Sequence, residues 1–170
     1  MSMDPHYRIG VGMDSHAFER QSTGRPLLLG GVIFQGEIGL AGDSDADVIL
    51  HALFNAIHSA LGKDGLGAYF TPKDMVGEAI HSSFILKKAL ESLHSSPYEL
   101  ENVSIALECL TPRIQPKVGE IKHNLSFLLG ISKEKIGITA GTGDKLTEVA
   151  RGEGIFCLAQ VLLCSKSSTY

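Results

Sequence analysis

The sequence predicts an α+β fold: a single domain over residues 1–170, with a mixed β-sheet that carries helices on one face. Three observations predict it. Strand patterns interleave with three amphipathic helix patterns, and no internal repeat or long linker separates them. A chain of 170 residues is one domain's worth, long enough to bury a core without disulfide or metal staples. The last apolar run, Ile155 to Cys164, is apolar at odd and even positions alike apart from Gln160. A strand with one wet face would alternate. Three helices cover only one face of a sheet, so the other needs a partner. Another copy of the chain is one solution, which makes a homo-oligomer. Burial inside one monomer is the other, and the pattern alone does not separate them.

The elements follow in order. Tyr7 to Met13 alternates weakly and reads as a strand. Pro26 to Phe34 reads as a hairpin broken at Gly30-Gly31. A helix is expected from Asp45 to Leu61, capped by Ser44 or Asp45 and ended by Gly62 in the left-handed conformation. A second runs from Ser82 to His94, with Ile85, Leu86, Ala89, Leu90 and Leu93 on one face. Val103 to Leu110 is a strand. Pro116 opens a third helix that ends at Gly130. Lys135 to Ala140 and Ile155 to Cys164 are the remaining strands.

Composition narrows the function. Fifteen Lys and Arg against nineteen Asp and Glu give net charge −4. That argues against a nucleic-acid groove working by phosphate neutralisation. Three cysteines without CxxC spacing exclude a disulfide framework and suit a reducing cytoplasm. No apolar run is long enough for a signal peptide or a membrane helix. A leader removed before residue 1 would instead place the chain in a plastid stroma.

Two segments carry chemistry. Asp14 and His16 fall on one side of a strand by alternation. In the run Asp43-Ser44-Asp45-Ala46-Asp47 and onward to His51, Asp47 and His51 share a helix face. Asp14, His16 and His51 together make two imidazoles and a carboxylate, a ligand set that leaves catalytic zinc one open position. Acidic runs before helices also serve capping, and helical histidines also pack, so spacing leaves both readings open. The second segment, Ala140 to Lys145, follows a strand. Its glycines let backbone N–H groups approach an anion, Thr142 and Lys145 add donors, and Asp144 offers an oxygen to a phosphate-borne Mg²⁺. An ordinary turn is the other reading. Arg151-Gly152-Glu153-Gly154 reads as an ion pair at a strand start or a small anion site.

The runs RIGVGMDSHAF, DSDADVILHAL, GLGAYF, TPRIQP, GDKL and RGEGI, in this order, resemble the 2-C-methyl-D-erythritol 2,4-cyclodiphosphate synthases over nearly the whole chain. The resemblance implies a homotrimer with helices outside, sheets lining a central cavity and active sites at subunit interfaces. It implies that 4-diphosphocytidyl-2-C-methyl-D-erythritol 2-phosphate cyclises by attack of its 2-phosphate on its β-phosphate, releasing CMP. By position, Asp14, His16 and His51 would hold Zn²⁺, and Asp144 would bind Mg²⁺ or Mn²⁺ bridging the diphosphate. Thr142 and Asp144 would be catalytic. Asp43 and Ser44 would stand at the methylerythritol phosphate. Asp64, Gly65, Leu66, Gly67, Phe70 and Asp74 would line the sugar region. Cys109, Leu110, Thr111, Pro112, Arg113, Ile114 and Gln115 with Ala140 would hold cytosine. Gly141 and Lys145 would face phosphate, and Arg151 and Glu153 the central cavity.

The chain departs from the family pattern at several positions. Asp43 stands where the family has His, Asn55 and Gly65 where it has Asp, and Glu148 where it has an apolar aromatic. Phe70-Thr71-Pro72-Lys73-Asp74 replaces an FPDxD run. Gly141-Thr142-Gly143-Asp144 replaces Thr-Thr-Thr-Glu, shortening the carboxylate's reach by roughly 1.5 Å on ordinary bond lengths. Two rival readings remain: a zinc-dependent phosphate-ester hydrolase, and a non-catalytic trimeric ligand-binding protein.

Overall fold

The computed structural model describes residues 6–21, 23–70 and 81–166. They form strands β1 (Tyr7–Ala17), β2 (Pro26–Leu29), β3 (Val32–Ile38), β4 (Tyr98–Glu108), β5 (Ile136–Gly141) and β6 (Gly154–Ser165), with helices α1 (Val48–Ala60), α2 (Ser82–His94) and α3 (Val118–Leu129). Four strands make a mixed sheet in the order β1-β6-β4-β5, and β2 and β3 make a separate hairpin. The β4/β5 pair is parallel, joined through α3, while β1/β6 and β4/β6 are antiparallel. The predicted α+β class and mixed sheet are the ones observed.

The helices occupy one face. Helix α1 lies on β1 and β6, and α2 packs against α1. The approach of α1 to β1 depends on Gly10 and Gly12. A Cβ at Gly10 would overlap the Ala56 carbonyl oxygen, and one at Gly12 the Ala52 carbonyl oxygen. Beneath α1, Ile155, Cys157, Ala159, Val161 and Leu163 of β6 are fully buried.

On the opposite face Tyr7, Ile9, Val11 and Met13 of β1 are exposed, Ile9 by 63% and Met13 by 61%. Phe156, Leu158 and Leu162 of β6 are half-buried on that face, and Gln160 is exposed. The doubly apolar strand is therefore not doubly covered within the protomer, among the described residues.

Several boundaries differ from expectation: β1 runs on to Ala17 rather than ending at Met13, and β3 to Ile38 rather than Phe34. Helix α1 starts at Val48, because its cap is Asp47 rather than Ser44 or Asp45. Asp47 is fully buried. Its carboxylate accepts the backbone N–H groups of Ile49 and Leu50 on one side and of Gly30 and Gly31 on the other. Both glycines have positive φ, as a two-residue hairpin turn requires. Asp47 thus ties the β2–β3 turn to the start of α1, and it does not share the candidate site with His51. Strand β4 begins at Tyr98, with a register shift between Leu100 and Asn102. A short 3-10 turn, Gln115–Lys117, precedes α3. Gly62 ends α1 with φ +68, as expected.

Candidate metal and substrate site

Strand β1 sends Asp14 and His16 to its α1 side, and the first turns of α1 bring His51 over them. Oδ2 of Asp14 lies 3.0 Å from Nδ1 of His51 and 3.2 Å from Nε2 of His16. The three donor atoms lie within 4.8 Å of one another. His51 is buried and the other two half-buried.

The outer nitrogens decide the chemistry. Nδ1 of His16 lies 2.6 Å from the Ala41 carbonyl oxygen, which can only accept, so the proton sits on Nδ1 and the Nε2 lone pair faces Asp14. Nε2 of His51 lies 2.8 Å from Ser82 Oγ and 3.3 Å from Ser44 Oγ. Ser82 Oγ also meets Asp45 Oδ1. A carboxylate only accepts, so Ser82 gives its proton to Asp45 and takes one from His51 Nε2. The His51 Nδ1 lone pair then also faces Asp14. Three electron pairs converge with no protein hydrogen between them, which is the donor set a divalent cation needs. Two imidazoles and a carboxylate fit zinc with a fourth position open.

Without a metal, a proton takes that place. Burial would raise Asp14, but the hydrogen bonds and charges of His16 and His51 outweigh it and hold its pKa down to about 2. The hydrogen bond to Asp14 raises His16, against the opposing effect of burial.

A second group gathers at the far edge of the sheet. Cys109, Leu110, Pro112, Arg113, Ile114, Gln115, Ala140, Gly141 and Thr142 line one cavity of about 360 Å³. The loop and strand end that the resemblance assigns to cytosine are thus neighbours in space. Burial pushes the Cys109 thiol up to about 11, so it stays protonated, with Sγ directed at the Thr111 carbonyl. Thr142 at the cavity wall, and Asp144 and Lys145 beyond it, are exposed. Asp144 and Lys145 both have positive φ, an uncommon conformation for non-glycine residues.

Register relates the two groups. Asp14 pairs with Cys157, Cys157 with Leu107, and Leu107 with Ala140. They sit at one end of the sheet on opposite edges, three strand spacings or roughly 14 Å apart.

The other predicted residues are more scattered. Asp43 is exposed while Ser44 is buried beside His51. Asp64, Gly65 and Gly67 are exposed, and Leu66 and Phe70 pack half-buried on the core. Asp74 lies outside the described residues, as do Thr71, Pro72 and Lys73. Arg151 pairs with Glu148 at 3.0 Å, so Glu148, in place of an aromatic, has an ionic partner. Glu153 is exposed. Asn55 donates to the Met13 carbonyl and accepts from the Leu66 N–H. A carboxylate could not make the first bond. Ser82 was missed by sequence reasoning. Its only signal is its place at the start of a helix, which any serine shares.

Fold and site together define a class: an α+β protein whose sheet edge and first helix bring together one carboxylate and two imidazoles that could hold a metal ion. The chain belongs to the YgbB family, whose model matches residues 7–164. It is 38% identical over 156 residues to a protein of Halothermothrix orenii named 2-C-methyl-D-erythritol 2,4-cyclodiphosphate synthase, covering 92% of this chain and 93% of that one. A solved Plasmodium falciparum IspF, in a CDP complex, matches with TM-score 0.82 at 30% identity, over 95% of this chain and 97% of that one. The bifunctional IspDF of Campylobacter jejuni matches with TM-score 0.89 at 30% identity, over 96% of this chain. The match spans 44% of that longer protein. Among the described residues, no helix is long and apolar enough to cross a membrane.

Proposed function

We propose that the chain is a metal-dependent 2-C-methyl-D-erythritol 2,4-cyclodiphosphate synthase of isoprenoid-precursor biosynthesis. It converts 4-diphosphocytidyl-2-C-methyl-D-erythritol 2-phosphate into the cyclic diphosphate and CMP. The observation that carries this reading is the convergence of the Asp14, His16 and His51 electron pairs in a chain of this family.

An oxygen of the substrate's 2-phosphate forms a bond to the β-phosphorus, and the bond from that phosphorus to the bridging oxygen of CMP breaks. The nucleophile is the substrate's own phosphate, so the protein needs no serine or cysteine nucleophile. Its work is to fold the substrate back on itself and balance charge at phosphorus. Zinc on Asp14, His16 and His51, with Mg²⁺ or Mn²⁺ near Asp144, would supply that positive charge. Thr142 and Lys145 hold phosphate oxygens. The Cys109–Gln115 loop and Ala140 hold cytosine, largely through backbone groups. Ser44 and Asp43 flank the methylerythritol phosphate.

A homotrimer completes the site. The metal group and the cytosine cavity lie on opposite edges of one sheet, so a neighbour's β1 edge set beside the cavity would bring the halves together. The exposed apolar side chains of β1 supply a face for that contact.

The test is to supply the diphosphocytidyl substrate with zinc and Mg²⁺ and follow phosphorus NMR. A cyclic diphosphate and CMP are expected. A linear phosphate product would replace this reading with a zinc hydrolase, and no turnover with ligand binding retained would leave a binding protein.

A further inference from the structure

We infer that Ser82 and Asp45 are positioning residues that fix the tautomer of His51 for metal binding. This rests on the proposed metal site and goes one layer beyond it.

Ser82 is the first residue of α2, yet its side chain is fully buried, directed away from its own helix and toward α1. Asp45 holds it twice. Oδ2 accepts the Ser82 backbone N–H at 3.0 Å, and Oδ1 accepts the Ser82 hydroxyl. The hydroxyl oxygen is thereby aimed at His51 Nε2, 2.8 Å away. Asp45 is itself only 14% exposed. The chain runs carboxylate, hydroxyl, imidazole, and Ser82 Oγ is the nearer of the two hydroxyl oxygens at His51 Nε2, with Ser44 Oγ at 3.3 Å. Its consequence is at the far side of the ring. With Nε2 committed as a donor, Nδ1 presents an electron pair beside Asp14 instead of competing for a proton. Outer partners of metal-bound histidines act this way in general, and losing one weakens metal binding by roughly 10- to 100-fold.

The two bonds to Asp45 separate positioning from plain structure. The bond from the Ser82 backbone N–H stands in for a cap on α2, whose N-cap residue His81 makes no side-chain cap bond. Ser82→Ala keeps that bond and deletes only the hydroxyl.

The experiment measures the zinc dissociation constant of the full chain by competition with a chromophoric chelator, for the parent, Ser82→Ala, Asp45→Asn and His51→Ala. Thermal melting is read on the metal-free proteins, and proton exchange at His51 Nε2 by NMR on the zinc-loaded ones. The expected result is a 10- to 100-fold weaker constant for Ser82→Ala at a melting midpoint close to the parent's. The His51 Nε2–H should exchange slowly in the parent and quickly in the variant. Should Ser82→Ala not fold, Asp45→Asn is expected to weaken zinc in the same direction. Parent-like zinc affinity in folded Ser82→Ala, or a fast-exchanging Nε2–H in the parent, overturns the inference alone. A parent that binds no zinc, or a His51→Ala that binds it equally well, overturns the metal site and this inference with it.

Discussion

Oδ2 of Asp14 lies 3.0 Å from Nδ1 of His51 across a sequence separation of 37 residues. The contact joins a strand to a helix and leaves both atoms short of a cation. Removing the ring should remove the metal. His51→Ala is expected to lose the bound zinc, near one per chain in the parent. Turnover should fall by roughly three orders of magnitude or more, since a bound Lewis acid supplies several kcal/mol. Metal analysis of protein purified without chelator, with a steady-state assay, checks it. Parent protein that contains no zinc and gains no activity from added zinc would refute the assignment.

Protons should compete with that metal. The hydrogen bond to Asp14 raises the His16 pKa above its ordinary 6.5, so the metal-free ring keeps its proton to higher pH than an unperturbed histidine. Zinc needs the neutral ring, so its affinity should fall as pH drops through the raised value. The metal-free protein shows the opposite sign in stability. The imidazolium's contribution is complete below pH 6.5 and is lost as pH rises through the folded value. Zinc titrations and denaturant midpoints between pH 5.5 and 8.5 read the two slopes, and His16→Asn should flatten both.

Asp47→Ala should cost about 2–4 kcal/mol, from the lost helix cap and the unpaired Gly30 and Gly31 N–H groups. Urea denaturation measures it. A loss below about 0.5 kcal/mol would mean that solvent replaces the carboxylate at all four donors, as at an exposed site.

Gly12→Ala should push α1 away from β1, because its new methyl meets the Ala52 carbonyl oxygen. Overpacking of this kind costs about 1–3 kcal/mol or more. The same displacement should separate His51 from Asp14, so zinc affinity should fall together with stability, although residue 12 touches no metal. Normal zinc binding in a destabilised Gly12→Ala protein would uncouple the two.

Ile9→Lys puts a charge on the open apolar face, at its β1 edge. Light scattering should then report the 18.2 kDa of one chain, against three times that for the parent. Turnover should fall as well, since the two halves of the site would no longer meet. A parent that is monomeric and active would end the proposal of a shared site.

Much of the fold was legible because it rests on local periodicity. The three helices, the Gly30-Gly31 turn and Gly62 as a helix end all follow from residues within a few positions of each other. Asp14 and His16 could be paired from strand alternation for the same reason. The role of Asp47 was misread for a specific cause. Its i, i+4 spacing to His51 holds only if Asp47 lies within the helix, and the contest between Ser44, Asp45 and Asp47 for the cap is settled by where the Gly30 and Gly31 N–H groups stand, 17 and 16 residues away.

The sequence by itself determined the α+β class, the acidic charge that argues against a nucleic-acid groove, and the residue types able to hold a metal. Those depend on composition and short-range pattern. Only the tertiary structure decided that His51 reaches Asp14, that Ser82 and Ala41 orient the two rings, and that the Cys109–Gln115 loop and Ala140 enclose one cavity. Each of these joins segments far apart in the chain, and their distance is set by how closely α1 lies on β1 and how β4, β5 and β6 are registered. Packing fixes that closeness, and no local pattern encodes it.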